Sequence, residues 1–199
     1  MHPNPLFRSD ESALLRAIVE EAGLGMVFLS TPDGPRVAHT PVLWCEGDRL
    51  RFHLARANAL TPYLDGAQAL VTVNGPDGYV SPRWYDDRAT VPTWDYAAIE
   101  MEGRVTRLDE AGLDGMLYDL IDRQETRLGG KRWDAGEAGD DLWQRLLGGI
   151  HGYEMDVSQF RATIKLSQKR SPAERERIAA AADDTGRSAL ARLMREVAP

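Results

Sequence analysis

The hydrophobic pattern divides the chain into a strand-rich first half and a second half that is richer in helices. A short helix opens the chain, because apolar residues three and four positions apart share one face: Leu14, Leu15, Ile18, Val19 and Ala22. Five segments before residue 110 have the composition or the alternation of strands: 24–30, 36–44, 49–55, 69–75 and 97–108. The turn tract TPDGP between the first two predicts a hairpin.

After residue 110 the apolar spacing becomes helical twice. Apolar residues repeat at three and four positions in two groups: Leu113, Met116, Leu117, Leu120 and Ile121, then Leu142, Trp143, Leu146 and Leu147. The tract between them, 129–140, is rich in glycine and charge, which predicts a mobile surface loop. Segment 151–166 predicts a further strand, Ser171 and Glu174 form a capping box that begins a helix, and 188–197 predicts an amphipathic tail helix.

Length and charge narrow the class of protein. A chain of 199 residues with 43% hydrophobic residues predicts one domain, 1–199, with a C-terminal helical segment at about 171–199. The net charge of −7 makes DNA an expected partner only through weak or indirect contact. Cys45 is the only cysteine, which fits a reducing cytoplasm. No long apolar window or signal peptide is found, so no membrane association is expected.

The sequence contains none of the common catalytic motifs. It lacks the zinc-protease helix, the phosphate-binding P-loop, the nucleophile elbow and the dinucleotide-binding glycine pattern. Its four histidines are scattered and Cys45 is isolated, so no metal site is predicted. We therefore assign no catalytic residue, and whether the protein is an enzyme stays open.

The segment 79–96 contains five aromatic residues and two prolines. Pro82 and Pro92 cannot extend a central ladder, so we expect the segments bearing Trp84 and Trp94 to leave the sheet or lie at its edge. These rings either pack as a satellite core or border a flat conjugated ligand.

Four segments in order, 53-HLARANAL-60, 73-VNGPDGYVSPRWY-85, 91-VPTWDY-96 and 165-KLSQKR-170, resemble the PaiB-type FMN-binding proteins. The resemblance implies an α+β, β-dominated fold, the FMN-binding split β-barrel with peripheral helices, assembled as a homodimer that binds FMN between subunits. It also implies a negative transcriptional regulator or flavin-dependent sensor. The alternative is an FMN-dependent oxidoreductase of the pyridoxamine phosphate oxidase-like or flavin reductase type, and a flavin-free dimer is a third possibility.

The resemblance also implies the residues that hold FMN: His39, Thr40, Arg56, Ala57, Asn58, Trp84, Thr93, Trp94 and Lys165. Arg56 is the first candidate for the phosphate, the alternative being an exposed surface arginine. Asn58 either caps the following turn or donates to the same phosphate, and His39 either faces FMN or packs in the core. Thr93 and Trp94 are expected to line the ring or ribityl edge, and Lys165 to complete an anion site. Asp95 stands where the family typically has asparagine, and an acid there would repel an anionic flavin.

Overall fold

The computed structural model describes residues 2–197, which form two compact units. The barrel unit comprises residues 23–72 and 101–160, and the terminal unit comprises the described parts of 1–22, 73–100 and 161–199. The prediction of one domain over the whole chain stays a prediction.

Six strands and six α-helices are formed within residues 2–197. In chain order they are α1 (Ser12–Ala22), β1 (Leu24–Thr31), β2 (Gly34–Cys45), β3 (Arg49–Ala55), α2 (Thr61–Leu64), β4 (Gln68–Val80), β5 (Thr93–Arg107), α3 (Glu110–Leu128), α4 (Asp140–Leu147), β6 (Ile150–Lys165), α5 (Pro172–Asp184) and α6 (Ser188–Glu196). The strands form a closed barrel in the order β1-β2-β3-β6-β5-β4. The predicted α+β, strand-dominated fold is confirmed.

The alternating pattern of β3 sets its pairing with β6. Leu50, Phe52 and Leu54 are buried, whereas Arg51 points to the other face. Arg51 lies opposite Glu154 in the antiparallel register, and its Nε donates to Oε2 of Glu154 at 2.6 Å. Opposite charges directly across two strands favour this register over its neighbours.

The barrel unit buries one face of α3 and part of α4 in a shared apolar cluster. Leu43 of β2 packs with Leu113, Met116 and Leu147 of the two helices. The intervening tract 129–140, predicted as a loop, contains one 3-10 turn at Ala135–Ala138 that begins with a capping box.

The terminal unit contains α1, α5 and α6 together with parts of β4, β5 and β6. The predicted capping box is present: the Ser171 hydroxyl accepts from the Glu174 amide, and the Glu174 carboxylate accepts from the Ser171 amide. Arg175 is buried and donates to the carbonyl of Met194 at 2.8 Å, which ties α5 to α6.

Among residues 2–197, no helix has the length and apolar character that crossing a membrane requires.

Candidate functional site

A cavity of about 460 Å³ in the barrel unit contains Arg56. It lies where β3 ends and β6 begins, and Arg107 and His151 also line it. Desolvation and the two neighbouring guanidinium groups lower the pKa of His151. Asp109 and Glu110 line the cavity as well, but the Asp109 carboxylate caps α3 by accepting from the Gly112 amide at 2.8 Å. The guanidinium groups of Arg56 and Arg107 can therefore donate charge-assisted hydrogen bonds to a dianion here, beside two acidic residues.

Backbone and side-chain hydrogen bonds fix the segment that follows β3. The Arg56 amide donates to the Gly149 carbonyl at 3.0 Å, while the Arg56 side chain is exposed and lines the cavity. Asn58 caps the turn, because its Oδ1 accepts from the Leu60 amide at 3.0 Å. The Asn58 amide nitrogen is the part of the side chain that stays available to a phosphate, and Ala57 is exposed beside it.

His39 and Thr40 are adjacent on β2 and therefore face opposite sides of the sheet. Thr40 is buried, and its Oγ1 donates to the His53 carbonyl at 2.6 Å. His39 is exposed, so the interpretation of His39 as a core histidine is wrong. It lies opposite Met26 of β1, on a surface that we call the β1–β2 face. That face is formed by Leu24, Met26, Phe28, Val37, His39 and Leu70.

Three predicted residues of the terminal unit contact one another directly. The Lys165 ammonium donates to the Thr93 hydroxyl and, at 2.7 Å, to the Trp94 carbonyl. The Trp94 ring packs edge to face on Tyr79 with 6.3 Å between centroids, and its Nε1 donates to Asp77 at 2.8 Å. Both rings are 47% exposed, so they offer an aromatic surface to a ligand or partner.

The two proline-bearing segments behave differently. Pro82 begins a 3-10 turn, Pro82–Trp84, which leaves β4 as expected. Trp84 is half-buried there, and its carbonyl accepts from Arg177 Nε at 3.3 Å. Pro92 instead precedes β5 directly, so Trp94 lies within a strand. The Trp94 segment therefore does not leave the sheet, since it forms the start of β5.

A second cavity, of about 550 Å³, lies within the terminal unit and is called the terminal cavity below. Thr93 and Lys165 line it, as do residues that the sequence did not indicate as a group: Phe7, Tyr85, Asp95, Ser167, Lys169 and Arg170. Trp84 and Trp94 are not among the residues that line it. The N-terminal tract, the stretch before β5 and the segment after β6 are thus brought together.

Asp95 is the most deeply buried acid of the terminal cavity. Its side chain is 0% exposed, and Oδ2 accepts from the Ser167 hydroxyl at 2.5 Å. Ser167 itself has a φ of 56°, a left-handed conformation that this bond helps to hold. Oδ1 has no hydrogen-bond partner among residues 2–197. Burial raises the pKa of Asp95, against the opposing effects of Ser167, Lys165 and Arg175.

The raised pKa of Asp95 predicts a pH dependence of stability. Since the folded state binds this proton more tightly than the unfolded state, the stability contribution of Asp95 falls as pH rises from its ordinary pKa of 3.8 through the folded value. Asp95→Asn should remove that decline, because the amide keeps the shape without a charge. Urea unfolding of both proteins at several pH values between 4 and 8 measures the difference. Parallel curves for the two proteins would contradict the prediction.

The donor groups of the chain fit FMN by their chemistry. A phosphate dianion requires cations, which Arg56 and Arg107 of the barrel unit supply. A ribityl chain requires hydroxyl groups, and the terminal unit has one at Thr93. The aromatic surface of Trp94 and Tyr79 suits a flat ring. A closed six-stranded barrel with these donors is the architecture of a flavin-binding split-barrel protein.

The chain belongs to the family described as "Putative FMN-binding domain", whose model matches residues 1–159. It is 30% identical over 158 residues to Protease synthase and sporulation protein PAI 2 of Bacillus subtilis, covering 77% of this chain and 75% of that protein. It is 36% identical over 108 residues to an uncharacterized protein of Saccharomyces cerevisiae, covering 48% of this chain and 64% of the yeast protein. The family match ends before residues 165–170.

Solved structures share the fold at low sequence identity. The flavocytochrome Anf3 from Azotobacter vinelandii matches with a TM-score of 0.62 and 19% identity, covering 83% of this chain and 72% of that chain. An FAD- and heme-binding protein from Mycobacterium smegmatis matches with a TM-score of 0.61 and 18% identity, covering 87% and 80%. The resemblance to PaiB-type proteins and the cofactor, FMN, are confirmed by the family. The roles of individual residues stay predictions.

Proposed function

We propose that this protein is a cytoplasmic, homodimeric FMN-dependent sensor that acts as a negative regulator of transcription. The observation that carries the proposal is the cavity that brings Arg56 and Arg107 together beside His151. Two guanidinium groups on one cavity can each form a charge-assisted hydrogen bond with a phosphate dianion. The name of the Bacillus subtilis relative, which links it to protease synthesis and sporulation, supports a role in regulation.

Within this proposal each group has one task. Arg56 binds the phosphate, Arg107 adds positive charge beside it, and the Asn58 amide nitrogen donates to the same anion. Thr93 and Trp94 border the ribityl chain or the ring, and Lys165 fixes both through its two hydrogen bonds. When bound, FMN supplies the capacity to accept and release electrons, which is the property that a sensor reads.

The ion pairs of the C-terminal arginines disfavour regulation through direct DNA contact. Arg177 pairs with Asp86, and Arg192 pairs with Glu21. Arg195 binds Glu176 and Asp183, each at 2.8 Å. These cations are neutralised within the terminal unit, so α5 and α6 do not present an unpaired basic surface to phosphates. We therefore propose that the signal passes to transcription through a protein partner.

A gel-shift titration with the FMN-loaded protein tests this route. We expect binding to random-sequence duplex DNA that is undetectable at micromolar protein in both 50 mM and 200 mM salt. A protein that makes 6–10 phosphate contacts would instead lose affinity by roughly 10³–10⁵ between these salt concentrations. Tight, steeply salt-dependent binding would therefore contradict the indirect route.

The homodimer is proposed from the exposed apolar surface of the β1–β2 face. Leu24 is 54% exposed, Val37 45% and Phe28 36%, and the register places Phe28 directly opposite Val37. A patch of adjacent apolar side chains on an antiparallel pair is costly in water, and a second copy of the same face would bury it. The exposed His39 lies on this face, which is where a cofactor bound between subunits would meet it.

A charge placed on this face should separate the subunits. Phe28→Asp is expected to give a monomer at micromolar concentration by light scattering. The interface would otherwise bury one carboxylate from each subunit against the apolar surface of the other subunit. Leu128→Asp is the matched control, since Leu128 is 78% exposed at the end of α3 and lies outside the face. The control should keep the mass of the unmodified protein. A dimeric Phe28→Asp protein would show that another surface is used.

An FMN-dependent oxidoreductase is the second candidate, favoured by the terminal cavity. That cavity has room for a small molecule and contains a buried acid with a raised pKa, the type of group that can hold or move a proton. Rapid reduction of the bound flavin by NADH or NADPH, followed by transfer to an acceptor, would favour this function over the sensor. Slow or absent transfer would favour the sensor.

A further inference from the structure

An exposed tryptophan of the terminal unit is held by contacts with three neighbours. Nε1 of Trp94 donates to Oδ1 of Asp77 at 2.8 Å, and the ring packs edge to face on Tyr79. The Arg187 guanidinium lies 5.9 Å from the centre of the Trp94 ring, within the range of a cation–π contact. Trp94 nevertheless remains exposed. These contacts therefore restrict the orientation of the ring without burying it.

Two of these neighbours, Asp77 and Arg187, are linked to each other. Nη1 of Arg187 donates to the backbone carbonyl of Asp77 at 3.0 Å, while the Asp77 carboxylate accepts from Trp94. Gly78 permits this arrangement, because a Cβ built there would lie 2.8 Å from Cδ of Arg187 and 2.9 Å from Cδ2 of Leu190. The beginning of α6 therefore packs directly on β4 beside the Trp94 ring.

A ring that is fixed before binding favours a flat ligand. Exposed hydrogen bonds and cation–π contacts contribute little to the stability of a fold, so their main effect here is on the orientation of the indole. A side chain that is already ordered loses less conformational entropy when a ligand binds. The contacts of Asp77 and Arg187 should therefore increase the affinity for any flat ring that meets Trp94.

We propose, on the basis of the proposed contact between Trp94 and FMN, that Asp77 and Arg187 are positioning residues. They hold the Trp94 ring for the flat ring of the flavin and couple flavin binding to the docking of α6. Arg187 is the N-cap residue of α6 and lies beyond residues 1–159, which the family model matches. Because coupling is reciprocal, a flavin whose binding is favoured by the Arg187 contact stabilises that contact by the same factor.

Fluorescence titration of the full chain with FMN and riboflavin tests the positioning role of Asp77. Asp77→Ala should weaken both flavins about two- to tenfold, the effect of one further side chain that must be ordered on binding. The two losses should be equal, because the flavins share the ring and differ in the phosphate. Asp77→Asn should keep the unmodified affinity, since its amide oxygen accepts from Trp94 Nε1 as the carboxylate does. This variant separates the hydrogen bond from the charge.

The same titrations test Arg187. Arg187→Gln should also weaken both flavins about two- to tenfold, because the contact with the Trp94 ring is lost. Arg192→Gln is the matched control and should change neither affinity, since Arg192 is an exposed arginine of α6 that pairs with Glu21.

Hydrogen exchange of the backbone amides of α6 measures the coupling. Saturating riboflavin should slow this exchange in the unmodified protein, by up to the factor that Arg187→Gln costs in affinity. In Arg187→Gln the same addition should leave the exchange of α6 unchanged.

Three results would overturn the proposal. Equal riboflavin affinities of Asp77→Ala and the unmodified protein would show that the ring needs no fixing. Tighter FMN binding in both Asp77→Ala and Asp77→Asn, with riboflavin unchanged, would reduce Asp77 to a repelling charge. Exchange of α6 that does not respond to riboflavin in the unmodified protein would remove the coupling.

Trp94→Leu separates this proposal from the proposed function. Weaker riboflavin binding in Trp94→Leu, together with unchanged binding in Asp77→Ala and Arg187→Gln, would leave the flavin contact in place and remove only the positioning role. If the unmodified protein bound neither flavin, the proposed function itself would fail.

Discussion

Alanine at position 103 is expected to destabilise the protein by about 3 kcal/mol or more, the range of severe overpacking. A Cβ built on Gly103 lies 2.0 Å from the carbonyl oxygen of Asp156 and 2.8 Å from its carbonyl carbon. The obstruction is backbone, which cannot rotate away as the end of a side chain can. Accommodating one methyl group therefore requires β5 and β6 to separate in the barrel unit. The midpoint of urea unfolding, followed by circular dichroism, measures the loss.

Gly115→Ala provides the matched control for this substitution. Gly115 lies inside α3, and a Cβ built there meets nothing within 4 Å among the described residues. Alanine at an open helical position should stabilise the protein by about 1 kcal/mol, because glycine loses more backbone entropy on folding. If Gly103→Ala unfolded at the same urea concentration as the unmodified protein, that result would contradict the close approach of β5 and β6 at Gly103.

Where side chains alternate without interruption, the sequence is sufficient to predict the strand. The prediction for β3, 49–55, agrees with the observed Arg49–Ala55, since its apolar and charged residues alternate throughout. The prediction for β4 ended at residue 75. The strand continues to Val80, and its glycines allow close packing by distant residues: Ile18 and Ala97 beside Gly75, and Leu190 beside Gly78. Local propensity contains no information on such neighbours.

The candidate site was predictable only in part, for a similar reason. The resemblance indicated Arg56, but Arg107 and His151 reach the same cavity from the end of β5 and the start of β6. Neither residue has a local pattern that distinguishes it from an ordinary surface residue. Their proximity depends on strand order, which pairs β3 with β6 across about a hundred residues of chain.

Asp95 is different, because a signal for its burial was present in the sequence. Ala97, Ile99 and Met101 follow it at intervals of two residues along β5, and the side chains of all four residues are buried. The predicted strand began at residue 97, so the alternation was not extended back across Trp94 to the acid. Extending it would have predicted a buried carboxyl, although the partner of that carboxyl, Ser167, lies 72 residues away.

Arg56→Gln is expected to weaken FMN binding by roughly 10- to 100-fold, the range for one charge-assisted hydrogen bond to a phosphate. The side chain is exposed and lines the cavity of the barrel unit that also contains Arg107, so its loss should not disturb the core. Riboflavin has the same ring and ribityl chain but no phosphate. Its affinity should therefore be equal in the variant and in the unmodified protein, which assigns the effect to the phosphate.

Arg104→Gln supplies the control for that experiment, because Arg104 is an exposed arginine of β5 that does not line the cavity. Both flavins should bind to it as they bind to the unmodified protein, as measured by quenching of flavin fluorescence. If Arg56→Gln weakened riboflavin and FMN equally, Arg56 would act on the ring or on the fold of the site. If neither affinity changed, Arg56 would be the surface arginine of the alternative interpretation. The phosphate would then have to be placed at another cation, either Arg107 of the same cavity or Lys165.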